Sequence, residues 1–220
     1  MKSSIYTRDL FDCQTPYLRD WFYQFTHPWE MLLQIESFIR QAVQEGIEGF
    51  SLHQGRILMG ESVKIAESAC IEGMAILGSG TVIRHGAYLR GNVIAGEGCV
   101  IGNSTELKNC VLLNHVQVPH YNYVGDSILG NYAHMGAGAI LSNVKADRSL
   151  VVIHAQKEYP TNLKKIGGIL GDGAEIGCGC VLNPGTVVGK NTSVYPLTVL
   201  RGVFPADCIV KSAKEVVKRK

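Results

Sequence analysis

A six-residue repeat constrains this chain more than any other feature. From Ile65 to Leu113 every sixth residue is apolar, and the residue two positions before each of them is small or β-branched. The repeat resumes in a second register at Leu129 and in a third at Leu170. Alternating apolar residues indicate short strands, and a turn in each six-residue unit folds the strands into a stacked prism, with about eighteen residues in each three-stranded coil.

This pattern resembles the left-handed parallel β-helix of the hexapeptide-repeat transferases. The resemblance covers residues 60–205 and supplies the hand of the helix, because parallel crossovers are otherwise right-handed. We predict an all-β left-handed parallel β-helix, a hexapeptide-repeat prism, over residues 56–205, with a loop insertion at 144–169 where the repeat is interrupted. Residues 206–220 are predicted to form a capping helix or tail.

The first fifty-five residues have a different composition. Only three of the 25 glycines lie there, together with ten of the seventeen aromatic residues. A proline near the start, a glycine at the end and apolar residues three to four apart predict a helix over 27–46, and Thr15 and Pro16 predict the start of a shorter one. We therefore expect an N-terminal α-helical appendage at 1–55.

Charge and hydropathy exclude several classes of function. Lys and Arg number 21 against 19 Asp and Glu, and they are scattered, so the sequence predicts no nucleic-acid partner. No apolar run reaches the length of a membrane span, and the N-terminus lacks the apolar stretch of a signal peptide. We expect a cytoplasmic protein whose seven cysteines are reduced, with no CxxC pair.

Two cations interrupt the small residues that point outward from the repeat. Arg90 and Lys108 are 18 residues apart, which is one coil, so their side chains are predicted to stack about 4.8 Å apart on one face. Stacked cations repel, and a bridging phosphate would stabilise them. The alternative is that Glu72, one coil below Arg90, neutralises the column.

The next break in the repeat, residues 114–124, is rich in chemically active side chains. It contains His115, His120, Tyr121 and Tyr123 just beyond the two cations. A histidine near a phosphate site is a candidate for proton transfer, because its pKa lies close to neutral pH.

The segment Leu89–Asn143 resembles the acetyltransferase half of the bifunctional glucosamine-1-phosphate acetyltransferase/UDP-N-acetylglucosamine pyrophosphorylases. The resemblance implies N-acetyl transfer from acetyl-CoA to an amino-sugar 1-phosphate. It implies His120 as the catalytic residue and, as substrate contacts, Arg90, Lys108, Tyr123, His134 and Asn143. His134 stands where the family has an asparagine, and Val144 where it has a tyrosine, so contacts to the sugar are expected to differ.

The same resemblance implies how the acyl donor is held. Acetyl-CoA would lie between neighbouring prisms of a homotrimer, beside Ala137 and Cys178. Backbone N–H groups of residues 135–138 are candidates to stabilise the oxyanion, because glycine in this turn permits close approach. The basic residues of the loop insertion are expected to cover the site and meet the phosphates of CoA.

Two further resemblances concern residues outside that segment. The run Lys164–Lys190 and the motif PWEMLL resemble archaeal and bacterial sugar nucleotidyltransferase homologues that carry this β-helix at their C-terminus. The glycine-rich start of a nucleotidyltransferase domain does not precede PWEMLL, so pyrophosphorylase activity is not expected.

Two alternatives remain open at this stage. The chain could be a non-catalytic trimeric module derived from a sugar nucleotidyltransferase. It could also be a zinc enzyme. The histidines at positions 85, 115, 120 and 134 resemble those of the β-helix carbonic anhydrases, which bind zinc with three histidines across a trimer interface. We expect no metal, since His85 and His115 are 30 residues apart, which is not a whole number of coils.

Overall fold

The computed structural model describes residues 3–219 and begins with a helical appendage. Its helices are α1 (Thr7–Leu10), α2 (Pro16–Phe22), a 3₁₀ helix (Pro28–Leu33) and α3 (Ile35–Glu45). The single helix predicted over 27–46 is therefore divided in two at Gln34, which ends the 3₁₀ helix and precedes α3.

Three sheets of very short strands follow and form the faces of a prism, which we name faces A, B and C. Face A contains Ser51–His53, Ile57–Met59, Ala75–Leu77, Val93–Ala95, Cys110–Leu112, Ile128–Leu129, Gly168–Leu170, Thr186–Val188 and Val203–Phe204. Face B contains Lys64–Ile65, Val82–Ile83, Val100–Asn103, Gln117–His120, His134–Met135, Glu175–Ile176, Ser193–Val194, Cys208–Ser212 and Glu215–Lys218. Face C contains Cys70–Ile71, Tyr88–Leu89, Glu106–Lys108, Tyr123–Gly125, Ile140–Leu141, Val181–Leu182 and Val199–Leu200.

Neighbouring strands run parallel on each face, except for the antiparallel pairs at the start of face A and at the end of face B, and the chain visits the faces in turn. Ile83 pairs with Ile101, and Leu107 with Val124, so one coil takes 18 or 17 residues. These inward residues are fully buried inside the prism, as the six-residue repeat predicts. The predicted fold class, an all-β left-handed parallel β-helix with an N-terminal helical appendage, is confirmed.

The appendage packs on the outer surface of face A. From the second strand of face A onward, one apolar residue of each strand points outward and joins the buried cluster of the helices. Leu58, Ile76 and Ile94 are the first three of these residues. From Leu58 to Ile128 these outward apolar residues recur in the sequence at a spacing of 17 or 18. Since this column is buried by the helices, faces B and C are the ones that the appendage leaves open.

The long interruption of the repeat lies between faces C and A. The chain leaves face C after Leu141 and returns to face A at Gly168, and between them Val152–His154 and Glu158–Pro160 form an antiparallel hairpin. Val151 and Ile153 are buried against the same cluster as the helices. The hairpin therefore packs towards face A and the appendage.

The capping helix predicted within 206–220 is wrong for the described residues. Cys208–Ser212 adds a parallel strand to face B, and Glu215–Lys218 turns back on it as an antiparallel strand. The reason is the β-branched alternation of this segment, which places Val210 in the interior of the prism with none of its surface exposed. The β-helix consequently extends beyond residue 205. Among residues 3–219 no helix is long and apolar enough to cross a membrane.

Candidate functional site

The corner where face B passes into face C gathers three of the predicted site residues. His120 ends a face B strand, and the register of Gln117 with His134 places Ala137 on the coil above it. The register continues by one coil to Cys178, where Gly179 N–H donates a hydrogen bond of 2.9 Å to the Ala137 carbonyl oxygen. His120, Ala137 and Cys178 thus form one column along the prism, which we name the corner column.

His120 is exposed at the base of this column. Within residues 3–219 its imidazole ring makes no hydrogen bond, whereas its backbone N–H donates to Asn122 Oδ1 at 3.1 Å. Asn122 is buried and donates to the carbonyl oxygens of Gly136 and Ala139 at 2.8 and 3.3 Å. It therefore ties the histidine to the turn above it, leaving the ring free to meet a substrate.

Asn122 was missed in the sequence, although a signal existed. It occupies the position two residues before an inward apolar residue, where the coils below and above carry Thr105 and Ala139. A buried amide at a position reserved for small or β-branched residues breaks the repeat next to the candidate base.

Tyr123 begins the face C strand that leads away from His120. Burial raises the pKa of its hydroxyl, the cation of Lys108 opposes this rise, and the carboxylates of Glu106 and Asp126 reinforce it. The tyrosine is therefore a neutral hydrogen-bonding group next to a charged cluster.

Gly125, at the end of the same strand, makes room for two substrate contacts. A Cβ atom there would lie 2.5 Å from the Tyr123 hydroxyl and 2.7 Å from the Asn143 side-chain nitrogen. Only glycine lets these two groups approach each other over the strand. The predicted contacts Tyr123 and Asn143 are thus brought together.

The far edge of face C carries Arg90 and Lys108. Leu89 pairs with Leu107, and Arg90 N–H donates to the Leu107 carbonyl oxygen at 2.8 Å, which confirms that the two cations stand on adjacent coils. We name their line, at the edge where face C meets face A, the edge column. Its members, in order, are Glu72, Arg90, Lys108, Gly125, Ser142, Asn183 and Arg201.

Each stacked cation has a carboxylate partner in the structure. Arg90 pairs with Glu106 at 2.9 Å on an exposed surface. The alternative in which Glu72 neutralises Arg90 is not what the structure shows, because Arg90 pairs with Glu106 and Glu72 accepts a 2.6 Å hydrogen bond from the Tyr88 hydroxyl. Arg90 and Glu106 lie on adjacent coils of face C, which brings the carboxylate to the guanidinium.

Lys108 pairs with a carboxylate that sequence analysis did not select. Asp126 is 6% exposed and lies 3.3 Å from the Lys108 ammonium. It also accepts hydrogen bonds from the side-chain amides of Asn109, at 3.0 Å, and Asn143, at 2.5 Å. Since Asn109 also donates to the Leu32 carbonyl oxygen, this network connects the candidate site to the appendage.

His134 lies apart from the face C residues. It points outward from face B and its Nδ1 lies 2.9 Å from Glu175. Within one chain it is therefore not part of the group formed by Tyr123, Lys108 and Asn143.

A cavity of about 460 Å³ lies where the loop insertion meets the upper coils. It is lined by Ser142, Asn183 and Arg201 of the edge column and by Lys145 and His154 of the loop. Arg201 contacts His154 Nε2 at 3.1 Å and has no carboxylate partner within residues 3–219. The loop thus brings cationic groups to the edge column, at the opposite edge of face C from His120.

The remaining histidines form separate local contacts. His115 stacks on Tyr132 with ring centroids 4.7 Å apart, and His85 lies 2.6 Å from the Ser68 hydroxyl. No group of three or more histidine, cysteine or acidic side chains in residues 3–219 is arranged to hold a metal ion.

The chain is similar in sequence to a family model and to several known proteins. Residues 73–157 match a family model described as the GMPPB C-terminal domain. The chain is 28% identical over 114 residues to the bifunctional protein GlmU of Methanococcus aeolicus, covering 52% of this chain and 28% of that protein. The chain resembles the GlmU proteins. It is also 30% identical over 98 residues, 44% of this chain and 24% of the other, to a bifunctional sugar-1-phosphate nucleotidylyltransferase/acetyltransferase of Sulfurisphaera tokodaii.

The chain spans about a quarter of the length of both relatives. Among solved structures, it is similar to a point mutant of AntD, an N-acyltransferase from Bacillus cereus, in complex with dTDP and coenzyme A. That likeness has 18% identity and a TM-score of 0.40, and covers 74% of this chain and 82% of AntD.

Proposed function

We propose that the chain is an acetyl-CoA-dependent N-acetyltransferase. Its acceptor is an amino-sugar 1-phosphate of the glucosamine-1-phosphate type, and its product serves the synthesis of nucleotide sugars such as UDP-N-acetylglucosamine. One observation carries the proposal: the corner column and the edge column border the same face, with Tyr123 between them and Asn143 next to Ser142 of the edge column.

The sugar phosphate would lie across face C. His120 and Gly125 are five residues apart along the chain, and the strand Tyr123–Gly125, about 10 Å long, runs across face C to the edge column, a span that suits a hexose phosphate. Arg90 offers a planar fork to the phosphate and Lys108 a point charge. Their carboxylate partners hold both cations in place before the substrate arrives.

His120 would act as the general base. Its free imidazole accepts the proton that the sugar amine loses as the nitrogen attacks the thioester carbonyl. The tetrahedral intermediate then collapses, the C–S bond breaks, and the imidazolium returns the proton to the leaving CoA thiolate. Such a base contributes about 10²- to 10⁴-fold to the rate.

The turn above His120 would stabilise the oxyanion. Of the four residues predicted for this role, Gly136 N–H already donates to the Ile176 carbonyl oxygen and Gly138 N–H to that of His120. Ala137 N–H donates to no protein group within residues 3–219. We assign the oxyanion contact to this single N–H, which stands one coil above the base.

Acetyl-CoA would follow the corner column upward from Ala137 to Cys178. Because this chain's own upper cavity lies at the opposite edge of face C, the phosphates would meet Lys145 and Arg201 of a neighbouring prism. A neighbouring prism would complete the groove in a homotrimer, and faces B and C are available for that contact because the appendage occupies face A.

The test is release of the CoA thiol from acetyl-CoA in the presence of glucosamine 1-phosphate, galactosamine 1-phosphate or free amino sugars. We expect release with a sugar phosphate and a loss of about 10²-fold or more in His120→Ala. His115→Ala is the matched control, because His115 is an exposed histidine at another corner, and it should retain the full rate. If none of these amines supports thiol release, or if His120→Ala keeps the full rate, the proposal is contradicted and the non-catalytic alternative is favoured.

A further inference from the structure

A second, larger cavity lies far from face C. It has a volume of about 1060 Å³ and opens between α2, α3 and the first three coils, where face A passes into face B. The six-residue repeat and the predicted acetyltransferase site leave it unexplained. Its lining combines two chemical features.

The first feature is an aromatic wall. Trp21 stacks on Phe38 with ring centroids 4.5 Å apart, and Tyr17 meets Phe50 edge to face at 5.2 Å. All four side chains line the cavity and remain partly exposed. Their ring faces offer apolar contact and the negative electrostatic potential that attracts cations.

The second feature is a ring of carboxylates without counterions. Those that line the cavity are Asp20, Glu45, Glu48, Glu61 and Glu97. No lysine, arginine or histidine lines it, and none of the five carboxylates forms an ion pair within residues 3–219. In a chain of net charge +2, this gathering of like charge lowers the free energy of any cation that enters.

A buried polar group in the wall of the cavity is also unsatisfied. The Tyr17 hydroxyl is buried and has no hydrogen-bond partner within residues 3–219. Burial raises the pKa of Tyr17, and the nearby Glu97 adds to the rise, so the phenol stays neutral. An unpaired buried hydroxyl is costly, and its oxygen can accept a hydrogen bond from an ammonium N–H.

The five carboxylates are distributed around the cavity and do not converge on one point. Within residues 3–219, no three of them are arranged to hold a metal ion. A compact inorganic cation would therefore meet few of them at once, whereas a flexible chain with several ammonium groups would reach them in turn. Its methylene groups would lie against the aromatic wall.

From these contacts we propose that the cavity between the appendage and the first coils binds an aliphatic polyamine. Ammonium groups pair with the five carboxylates and with the Tyr17 oxygen, and one of them lies over Trp21. The site is independent of the proposed acetyl transfer, since it shares no residue with face C.

The test uses spermidine as the probe, isothermal titration on the full chain, and the emission of Trp21 in a Trp29→Phe background. We expect saturable one-to-one binding that weakens with salt. Glu61→Gln combined with Glu97→Gln should weaken it by about tenfold, and Trp21→Leu by about threefold. Glu67→Gln removes an exposed carboxylate outside the cavity and should bind as the wild type does.

Three results would overturn the assignment. One is no saturable binding of spermidine to the folded wild-type chain. Another is equal binding of Mg²⁺, which would mean that charge alone is recognised. The third is unchanged affinity in the double variant, provided that its circular dichroism matches the wild type.

Discussion

The Gly138 backbone N–H donates a hydrogen bond of 3.0 Å to the carbonyl oxygen of His120. This bond joins the proposed base to the turn that carries the Ala137 N–H. Two groups that must act on opposite sides of one thioester are thereby held at a fixed distance by backbone alone. The position of the Ala137 N–H relative to His120 would then depend on the backbone conformation of Gly138.

Gly138→Ala tests that dependence. Gly138 has φ +68°, and no atom lies within 4 Å of the position that a Cβ atom would take, so alanine fits the space but strains the backbone. We expect a loss of about 1 kcal/mol in the free energy of unfolding and a fall of about tenfold in kcat, because relaxation of φ moves Ala137 N–H. Urea unfolding and the thiol-release assay measure the two effects.

Gly80→Ala is the matched control. Gly80 has φ +70°, also has open space where a Cβ atom would lie, and is found at a different corner. Gly80→Ala should lose as much free energy of unfolding as Gly138→Ala does, but its kcat should equal that of the wild type. Equal activity in both variants would contradict a positioning role for the Gly138 turn.

Arg90→Ala separates phosphate binding from the rest of the reaction. Arg90 is 46% exposed and its pair with Glu106 lies at the surface, so the expected loss of stability is below about 1 kcal/mol. We expect the KM for a sugar 1-phosphate to rise by about tenfold, with no comparable change for a free amino sugar, which has no phosphate.

Arg40→Ala serves as the control for Arg90→Ala. Arg40 also pairs with a carboxylate on an exposed surface, Glu36 at 2.7 Å, but it lies on α3. It should leave both KM values unchanged. A rise of equal size for sugars with and without phosphate in Arg90→Ala would contradict the proposed phosphate contact.

The features that the sequence predicted correctly are those that follow from where a residue stands in the repeat. Inward residues such as Leu107, and the stacking of Arg90 on Lys108, follow from counting, because one coil is 17 or 18 residues. The alignment of His120, Ala137 and Cys178 in the corner column likewise follows from the register of the strands. These features need no knowledge of side-chain conformation.

The rest depended on side chains that meet across coils. Glu106 and Asp126 neutralise the two cations from neighbouring coils, and nothing in the repeat distinguishes them from solvated carboxylates. The packing of the appendage was predictable from the outward column that includes Ile76 and Ile94, but a search limited to inward positions misses it. The C-terminal hairpin replaced the predicted helix because β-branched residues continued the prism.

Buried thiols predict how stability varies at alkaline pH. Burial raises the pKa of Cys13 to about 11 and that of Cys99 to about 12. An unfolded thiol ionises near pH 8.5, so the unfolded chain releases these protons first as the pH rises. Stability from this source is complete below about pH 8 and is lost progressively towards the raised pKa values.

Urea unfolding at a series of alkaline pH values tests this in Cys99→Ala. The variant starts less stable, because it loses buried packing, but its free energy of unfolding should fall less steeply with pH than that of the wild type. A slope identical to the wild type would show that Cys99 does not contribute to the pH dependence.

Alkylation of cysteines locates the acyl donor directly. Cys70 and Cys178 are exposed, and the other cysteines are buried, so a maleimide should modify these two first. If the donor follows the corner column, acetyl-CoA covers Cys178 and slows its modification, whereas Cys70, near the first coils of face C, stays reactive. Peptide mass spectrometry after a short reaction gives both rates from one sample, so Cys70 is an internal control. Equal protection of both thiols, or protection of neither at saturating acetyl-CoA, would contradict the proposed path of the pantetheine arm.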